Sequence, residues 1–130
     1  MSVEKLILEN LLSNEPYVRR VLPFIKEEYF QERTDKAIFR SIQSFFTNYN
    51  ALPTIDAVKL GVDGRSDIMQ NEFDVIHKKL QELDTSTKQD ENWLVDQTEK
   101  FCKDKAIFNA ILESVHIIEG KTKEKTNALS

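Results

Sequence analysis

The stretch from Asp90 to Gly120, DENWLVDQTEKFCKDKAIFNAILESVHIIEG, contains no proline, and its only glycine is the last residue. Read as one α-helix, it would be about 45 Å long at a rise of 1.5 Å per residue. One helix would then take up about a quarter of a chain of 130 residues. Such a chain can bury the helix in one of two ways. It can wrap its other helices around the rod, or it can extend part of the rod toward a partner.

The two halves of this stretch differ in their apolar pattern. In the first half, one stripe of ordinary width is typical of a surface helix packed on its own domain; it contains Leu94, Thr98, Phe101 and Cys102. In the second half, the polar residues form one narrow strip, and the apolar arc spans roughly 240° against about 100° for an ordinary core-facing helix. This arc consists of Ile107, Phe108, Ala110, Ile111, Leu112, Val115, Ile117 and Ile118.

Two interpretations of the wide arc follow. The helix can be the central rod of a bundle, or its far end can be an arm buried against another chain or a further segment. Leu94, Phe101, Phe108 and Val115 recur every seven residues, which suits helix–helix packing in either case. If the second half is an arm, Phe108, Ile111, Leu112, Val115 and Ile118 are its predicted contact residues. Leu94 and Phe101 would then pack the first half on the head.

The rest of the chain has a helical period nearly throughout and no convincing strand. The predicted starts of the helices are an apolar run from Val3, Pro16 as a first-turn residue, and Thr34, Thr54, Ser66 and Asp90 as N-caps. Pro23 is expected to end the second helix, Gly61 the fourth and Gly120 the last. The sequence therefore predicts an all-α fold: a compact bundle of about five short helices plus one long C-terminal helix that extends as an arm.

This pattern divides the chain into three parts. Residues 1–89 form a helical head, and residues 90–120 form the long helix, with a head-packed first half and an arm-like second half. Residues 121–130, KTKEKTNALS, have almost nothing to bury and are expected to be a disordered tail.

Composition favours a cytoplasmic protein whose partners are other proteins. No apolar run is long enough to span a membrane, the N-terminus lacks the pattern of a signal peptide, and the single cysteine cannot form an internal disulfide. The net charge is −4, with lysines and arginines interleaved among acidic residues. Little direct binding to DNA is therefore expected.

Catalysis finds no support in the residue inventory. The chain has no G-K-[ST] phosphate loop, and His77 and His116 are isolated. The adjacent carboxylates Glu27–Glu28 and Asp90–Glu91 diverge on a helix, and Cys102 is best read as a small buried hydrophobe. We therefore expect no catalytic, cofactor or metal site.

Several segments resemble, in the right order, the N-terminal domain of DnaB-type replicative hexameric DNA helicases, most closely those of T-even-like bacteriophages. The strongest is NWLVDQTEKFCKDKAIFNA, which resembles the start of the long helix in that domain. The others are VEKLILENLLSNEPYVRRVLPFI, EEYFQERTDKAIFRSIQSFF and LPTIDAVKLGV, so the match covers about residues 3 to 120.

The resemblance implies a non-catalytic domain, a helical head with an arm. In that family the arms pair between subunits, and the dimers build a collar on a ring of ATPase domains. Primase, and in some systems a helicase loader, acts at the collar. ATP and Mg²⁺ would belong to an ATPase domain beyond this sequence, and the chain also stops before a second arm helix. The alternative is a stand-alone α-helical phage adaptor, or a helicase-loading or regulatory protein.

Overall fold

The computed structural model describes the backbone of residues 2–129 and the side chains of residues 2–121. Within this part the chain forms six α-helices, one 3₁₀ turn and no strand, which confirms the predicted all-α fold. The helices are α1 (Val3–Ser13), α2 (Glu15–Val21), α3 (Arg33–Tyr49), α4 (Ile55–Asp63), α5 (Gln70–Glu82) and α6 (Glu91–Leu129), and the 3₁₀ turn spans Glu27–Tyr29.

The head is built around α3, which packs on α1, α4, α5 and the 3₁₀ turn. Its buried side chains include Ile38, Phe39 and Ile42. The ring of Phe30 links α3 to α6, since its centroid lies 5.1 Å from that of Phe39 and 5.9 Å from that of Phe101. The helix α6 packs on α1, α2 and the 3₁₀ turn. The core therefore lies between α3 and the first half of α6.

Several predicted helix ends are confirmed. Asn14 caps α2, whose first turn contains Pro16, and α2 ends at Val21, just before Pro23. The hydroxyl of Thr54 accepts from the backbone N–H of Ala57 at 3.1 Å. At the start of the long helix, the carboxylate of Asp90 accepts from the backbone N–H of Trp93 at 2.9 Å. Each cap satisfies an N–H that the first turn leaves without a partner.

Two predicted N-caps are wrong. Thr34 lies inside α3, which begins at Arg33, and its hydroxyl accepts from the Lys79 ammonium at 2.8 Å. Ser66 lies four residues before α5, whose N-cap is Met69. The backbone N–H of Met69 donates to the carboxylate of Glu72 at 3.3 Å. At Thr34 a tertiary contact outweighs the local preference of threonine for a cap, and at the start of α5 the local bond between Met69 and Glu72 caps the helix instead of Ser66.

Two predicted helix ends are also wrong, and both are glycines. The helix α4 continues through Gly61 to Asp63, and α6 continues through Gly120 to Leu129. Neither glycine has a positive φ, so neither adopts the left-handed cap conformation. Of the predicted disordered tail at 121–130, all but Lys121 lies outside the residues whose side chains are described, so disorder there stays a prediction.

Candidate interaction surface

The base of α6 is anchored to the head. Among its inward side chains, Leu94 and Thr98 are 0% exposed, Phe101 is 7% exposed and Cys102 is 6% exposed. The sequence predicted these four residues as one stripe, and the structure buries all of them. At the start of the helix, Arg20 of α2 donates to the carboxylate of Glu91 and to the side-chain carbonyl of Asn92, both at 2.9 Å.

A buried polar contact fixes the depth of this packing. The hydroxyls of Tyr17 and Thr98 lie 2.7 Å apart, and the Thr98 hydroxyl donates to the backbone carbonyl of Leu94 at 2.8 Å. Because threonine has one hydroxyl hydrogen, Tyr17 is the donor in the shared bond. Burial raises the pKa of Tyr17 well above its usual value, and the hydrogen bond to Thr98 opposes this shift in part. This pair therefore acts as a neutral connection between α2 and the long helix.

The second half of α6 is exposed. Among the described side chains from residue 107 onward, the large apolar ones are 42% to 63% exposed; they are Ile107, Phe108, Ile111, Leu112, Val115, Ile117 and Ile118. This exposure excludes the interpretation in which the described part of the chain wraps both halves of the rod. The long helix thus extends as an arm, as predicted.

Most of these side chains share one face. At 100° per residue, Phe108, Ile111, Leu112, Val115 and Ile118 fall within an arc of about 120°, and we call this surface the arm seam. Phe108 and Val115 are seven residues apart, as are Ile111 and Ile118. This spacing is the one that keeps an apolar seam directed at a partner helix. The arc is about as wide as the face that a helix normally buries.

The polar strip of the second half turns toward the head. The side-chain amide of Asn109 donates to the backbone carbonyl of Glu28 in the 3₁₀ turn at 3.3 Å. Farther along the same strip, Glu113 and His116 are exposed. At 100° per residue this strip lies on the same side of α6 as the buried Thr98 and Cys102, farther along the helix. On the same wheel the centre of the arm seam is therefore turned by roughly 90° from the centre of the buried stripe, and its edge at Phe108 and Leu112 continues the line of the buried Phe101 and Leu94.

Lys105 lies where the covered part of α6 ends. Its ammonium is 5.9 Å from the ring centroid of Phe101, which is buried, and 5.9 Å from that of Phe108, which is 55% exposed. A cation at this distance is attracted by both ring faces. It adds a polar group at the head-proximal edge of the arm seam, where apolar contact with a partner would end.

The cysteine and the two histidines of the chain do not form a reactive or metal-binding site among the described residues. Cys102 is buried, as predicted, and burial raises the pKa of its thiol to about 11, with a smaller contribution from Glu99. The imidazole of His77 lies 3.0 Å from the carboxylate of Asp63, and that of His116 lies 4.0 Å from Glu119. Within the described residues, no group of three His, Cys, Asp or Glu side chains could hold a metal ion. In the same part of the chain, no helix is long and apolar enough to cross a membrane.

Comparison with known proteins supports the resemblance read from the sequence. No family model matches the chain. A DnaB-like replicative helicase of Enterobacteria phage T4 is 29% identical over 113 residues, which is 87% of this chain and 23% of that protein. The chain thus spans about a quarter of the length of this relative. Over most of its length, the chain is similar to part of a DnaB-like replicative helicase.

Proposed function

We propose that this chain is the non-catalytic assembly and partner-docking domain of a phage hexameric replicative DNA helicase, acting in the cytoplasm of the host cell. The observation that supports it best is the arm seam, a row of large apolar side chains on a helix whose base is anchored in the head. The similarity to a DnaB-like helicase adds support. In this proposal the arms pair between copies of the chain, and the ring they support also receives primase and a helicase loader.

The chemistry of unwinding would belong to a further domain of the full-length helicase. That domain would hold ATP and Mg²⁺, because the described residues contain no candidate metal cluster and the sequence has no G-K-[ST] loop. We expect the isolated chain to show no DNA-stimulated ATP hydrolysis above a heat-inactivated control. Turnover above that control would contradict a non-catalytic role.

The arm seam is large enough to support a dimer of modest affinity. Full burial of a large apolar side chain contributes about 1.5–3 kcal/mol. Each seam residue is already about half buried, so pairing would add on the order of 1 kcal/mol per side chain. Five residues from each of two copies give on the order of 10 kcal/mol, against roughly 4–15 kcal/mol lost in association. At an association cost of about 4–5 kcal/mol the net gain is about 5–6 kcal/mol, so we expect self-association to become visible at tens to hundreds of micromolar chain.

Light scattering across a concentration series tests this proposal. The unmodified chain should approach the mass of a dimer, and Ile111→Asp should stay monomeric because it places a charge in the seam. Ser114→Asp is the matched control: it adds the same charge at an exposed position of the same half of α6, outside the seam. Both variants should keep the thermal melt of the unmodified chain. A chain that remains monomeric at about 500 µM would refute arm pairing.

Binding to nucleic acid should be weak. The chain carries a net charge of −4, so few counterions would be released from DNA on binding. Fluorescence anisotropy with single-stranded and duplex oligonucleotides should give dissociation constants in the micromolar range or weaker at physiological salt. Submicromolar binding would contradict the proposal that this domain acts through protein partners.

A further inference from the structure

An open groove of about 540 Å³ runs along the head between α3 and α4. None of the residues that line it belongs to α6. The wall from α3 contains Arg40, Ser41, Ser44, Phe45, Asn48 and Tyr49. Along a helix, the span from Arg40 to Tyr49 is about 13 Å. The groove is thus a trough separate from the arm seam.

The floor of the groove is formed by small residues of α4, namely Ala57 and Gly61, together with Gly64 at the end of that helix. At Gly61 a Cβ atom would lie 2.6 Å from the hydroxyl oxygen of Ser41. The two helices therefore approach so closely at this point that glycine is the residue that fits without a shift. The floor also leaves the backbone of α4 open to a ligand, because no long side chain covers it.

One end of the groove is positively charged overall, because Arg40 and Arg65 stand against the single carboxylate of Asp67, which interacts electrostatically with both. Arg65 donates to the carboxylate of Asp67 through Nε at 3.0 Å and Nη2 at 2.7 Å, so these two charges offset each other. Arg40 is exposed, and among the described residues no hydrogen bond or ion pair holds its guanidinium. A guanidinium with free donors is suited to bind a carboxylate through two hydrogen bonds.

The other end of the groove is aromatic. The ring centroids of Phe45 and Tyr49 lie 4.8 Å apart with the planes tilted by 46°. Tyr49 is 68% exposed, although its spacing of four residues from Phe45, which itself follows Ile38 and Ile42, predicts from the sequence an inward position on the apolar face of α3. Phe45 is partly buried, and a partly buried ring beside an exposed one is the kind of surface that holds an apolar anchor of a binding partner.

We propose that this groove binds a short acidic peptide segment of a partner protein. One carboxylate of the peptide would pair with Arg40, an aliphatic or aromatic side chain would contact Phe45 and Tyr49, and the peptide backbone would lie over Gly61. About four extended residues span the 13 Å between the two ends. The trough is open, whereas small-molecule sites enclose most of their ligand, and a single free guanidinium offers little to a phosphate backbone.

This proposal does not depend on arm pairing, because the groove contains no residue of α6. The test is an NMR titration of the ¹⁵N-labelled chain with a blocked hexapeptide of three aspartates, two leucines and a phenylalanine. The same peptide with lysines in place of the aspartates is the control. We expect concentration-dependent shifts of the Gly61 and Gly64 amides with the acidic peptide, and at least fivefold weaker binding of the lysine peptide.

Two variants make the test specific. Arg40→Glu should weaken the acidic peptide at least fivefold. Lys59→Glu makes the same change of charge at a residue that does not line the groove, so it should weaken binding less than twofold. Equal effects of the two variants, equal binding of both peptides, or shifts confined to α6 would overturn the proposal. Shifts at the groove with an eight-residue oligothymidylate and none with the acidic peptide would also overturn it, and would assign the groove to nucleic acid.

Discussion

The hydroxyl pair at the base of the arm supports a prediction in which the loss of stability depends on which partner is removed. Tyr17 is 0% exposed and donates to Thr98, while Thr98 donates to the carbonyl of Leu94. Thr98→Val removes the acceptor and leaves the buried Tyr17 hydroxyl unpaired, which should cost about 1–3 kcal/mol of unfolding free energy. Tyr17→Phe leaves Thr98 bonded to Leu94, so it should cost only about 0.5–1.5 kcal/mol.

The double variant is the decisive measurement. With both hydroxyls gone, the site holds two apolar groups of nearly the original shape, and their loss together should cost less than Thr98→Val alone. The three unfolding free energies would come from urea titrations followed by circular dichroism at equal chain concentration, with unchanged slopes. Single-variant costs that add within about 0.5 kcal/mol, or a Tyr17→Phe variant less stable than Thr98→Val, would refute the assignment of donor and acceptor.

Three further predictions concern the head. Burial raises the pKa of the Cys102 thiol to about 11 from its usual 9.0. The neutral thiol therefore contributes fully to stability below pH 9, and this contribution is lost as the pH rises toward 11. In urea titrations across this range, Cys102→Ala should lose less unfolding free energy with rising pH than the unmodified chain. Gly61→Ala should gain about 0.5–1 kcal/mol of unfolding free energy in a Ser41→Ala background, where the hydroxyl is absent, and less in the unmodified chain; equal gains in thermal melts would argue against close approach. Lys79→Met should cost about 1–3 kcal/mol by urea titration, since the ammonium bonds two carboxylates and a hydroxyl at the start of α3; the exposed Lys78→Met is the control.

The fold class could be predicted from the sequence because apolar residues recur with a helical period in nearly every segment. In each helix this period also indicates which face is buried. The ends of helices were less predictable. Thr34 has the residue type of a cap, yet Lys79, which is distant in the sequence, binds its hydroxyl. Gly61 has the residue type of a stop, yet it serves close packing against Ser41. Neither contact has any signal in the local sequence.

The candidate interaction surface was predictable in width but not in direction. An apolar arc wider than one domain can cover follows from the spacing of the eight apolar residues between Ile107 and Ile118 alone. Which side of the arc turns toward the head became clear only from the bond between Asn109 and Glu28. The groove on the other side of the head had no sequence signal, since it depends on how α3 packs against α4. Tyr49 shows this, because its spacing placed it with the inward residues of its helix.

The continuity of α6 has a mechanical consequence. From Ile107 to Leu129 the backbone is helical without a break, so this part of the rod is about 34 Å long. A rotation of about 5° at the base, where Tyr17 and Thr98 meet, would displace the far end, about 46 Å along the helix, by about 4 Å. A force applied at the far end of α6 would therefore act on the head through a long lever. Because glycine has the weakest helix propensity after proline, Gly120 is where such a rod would bend first.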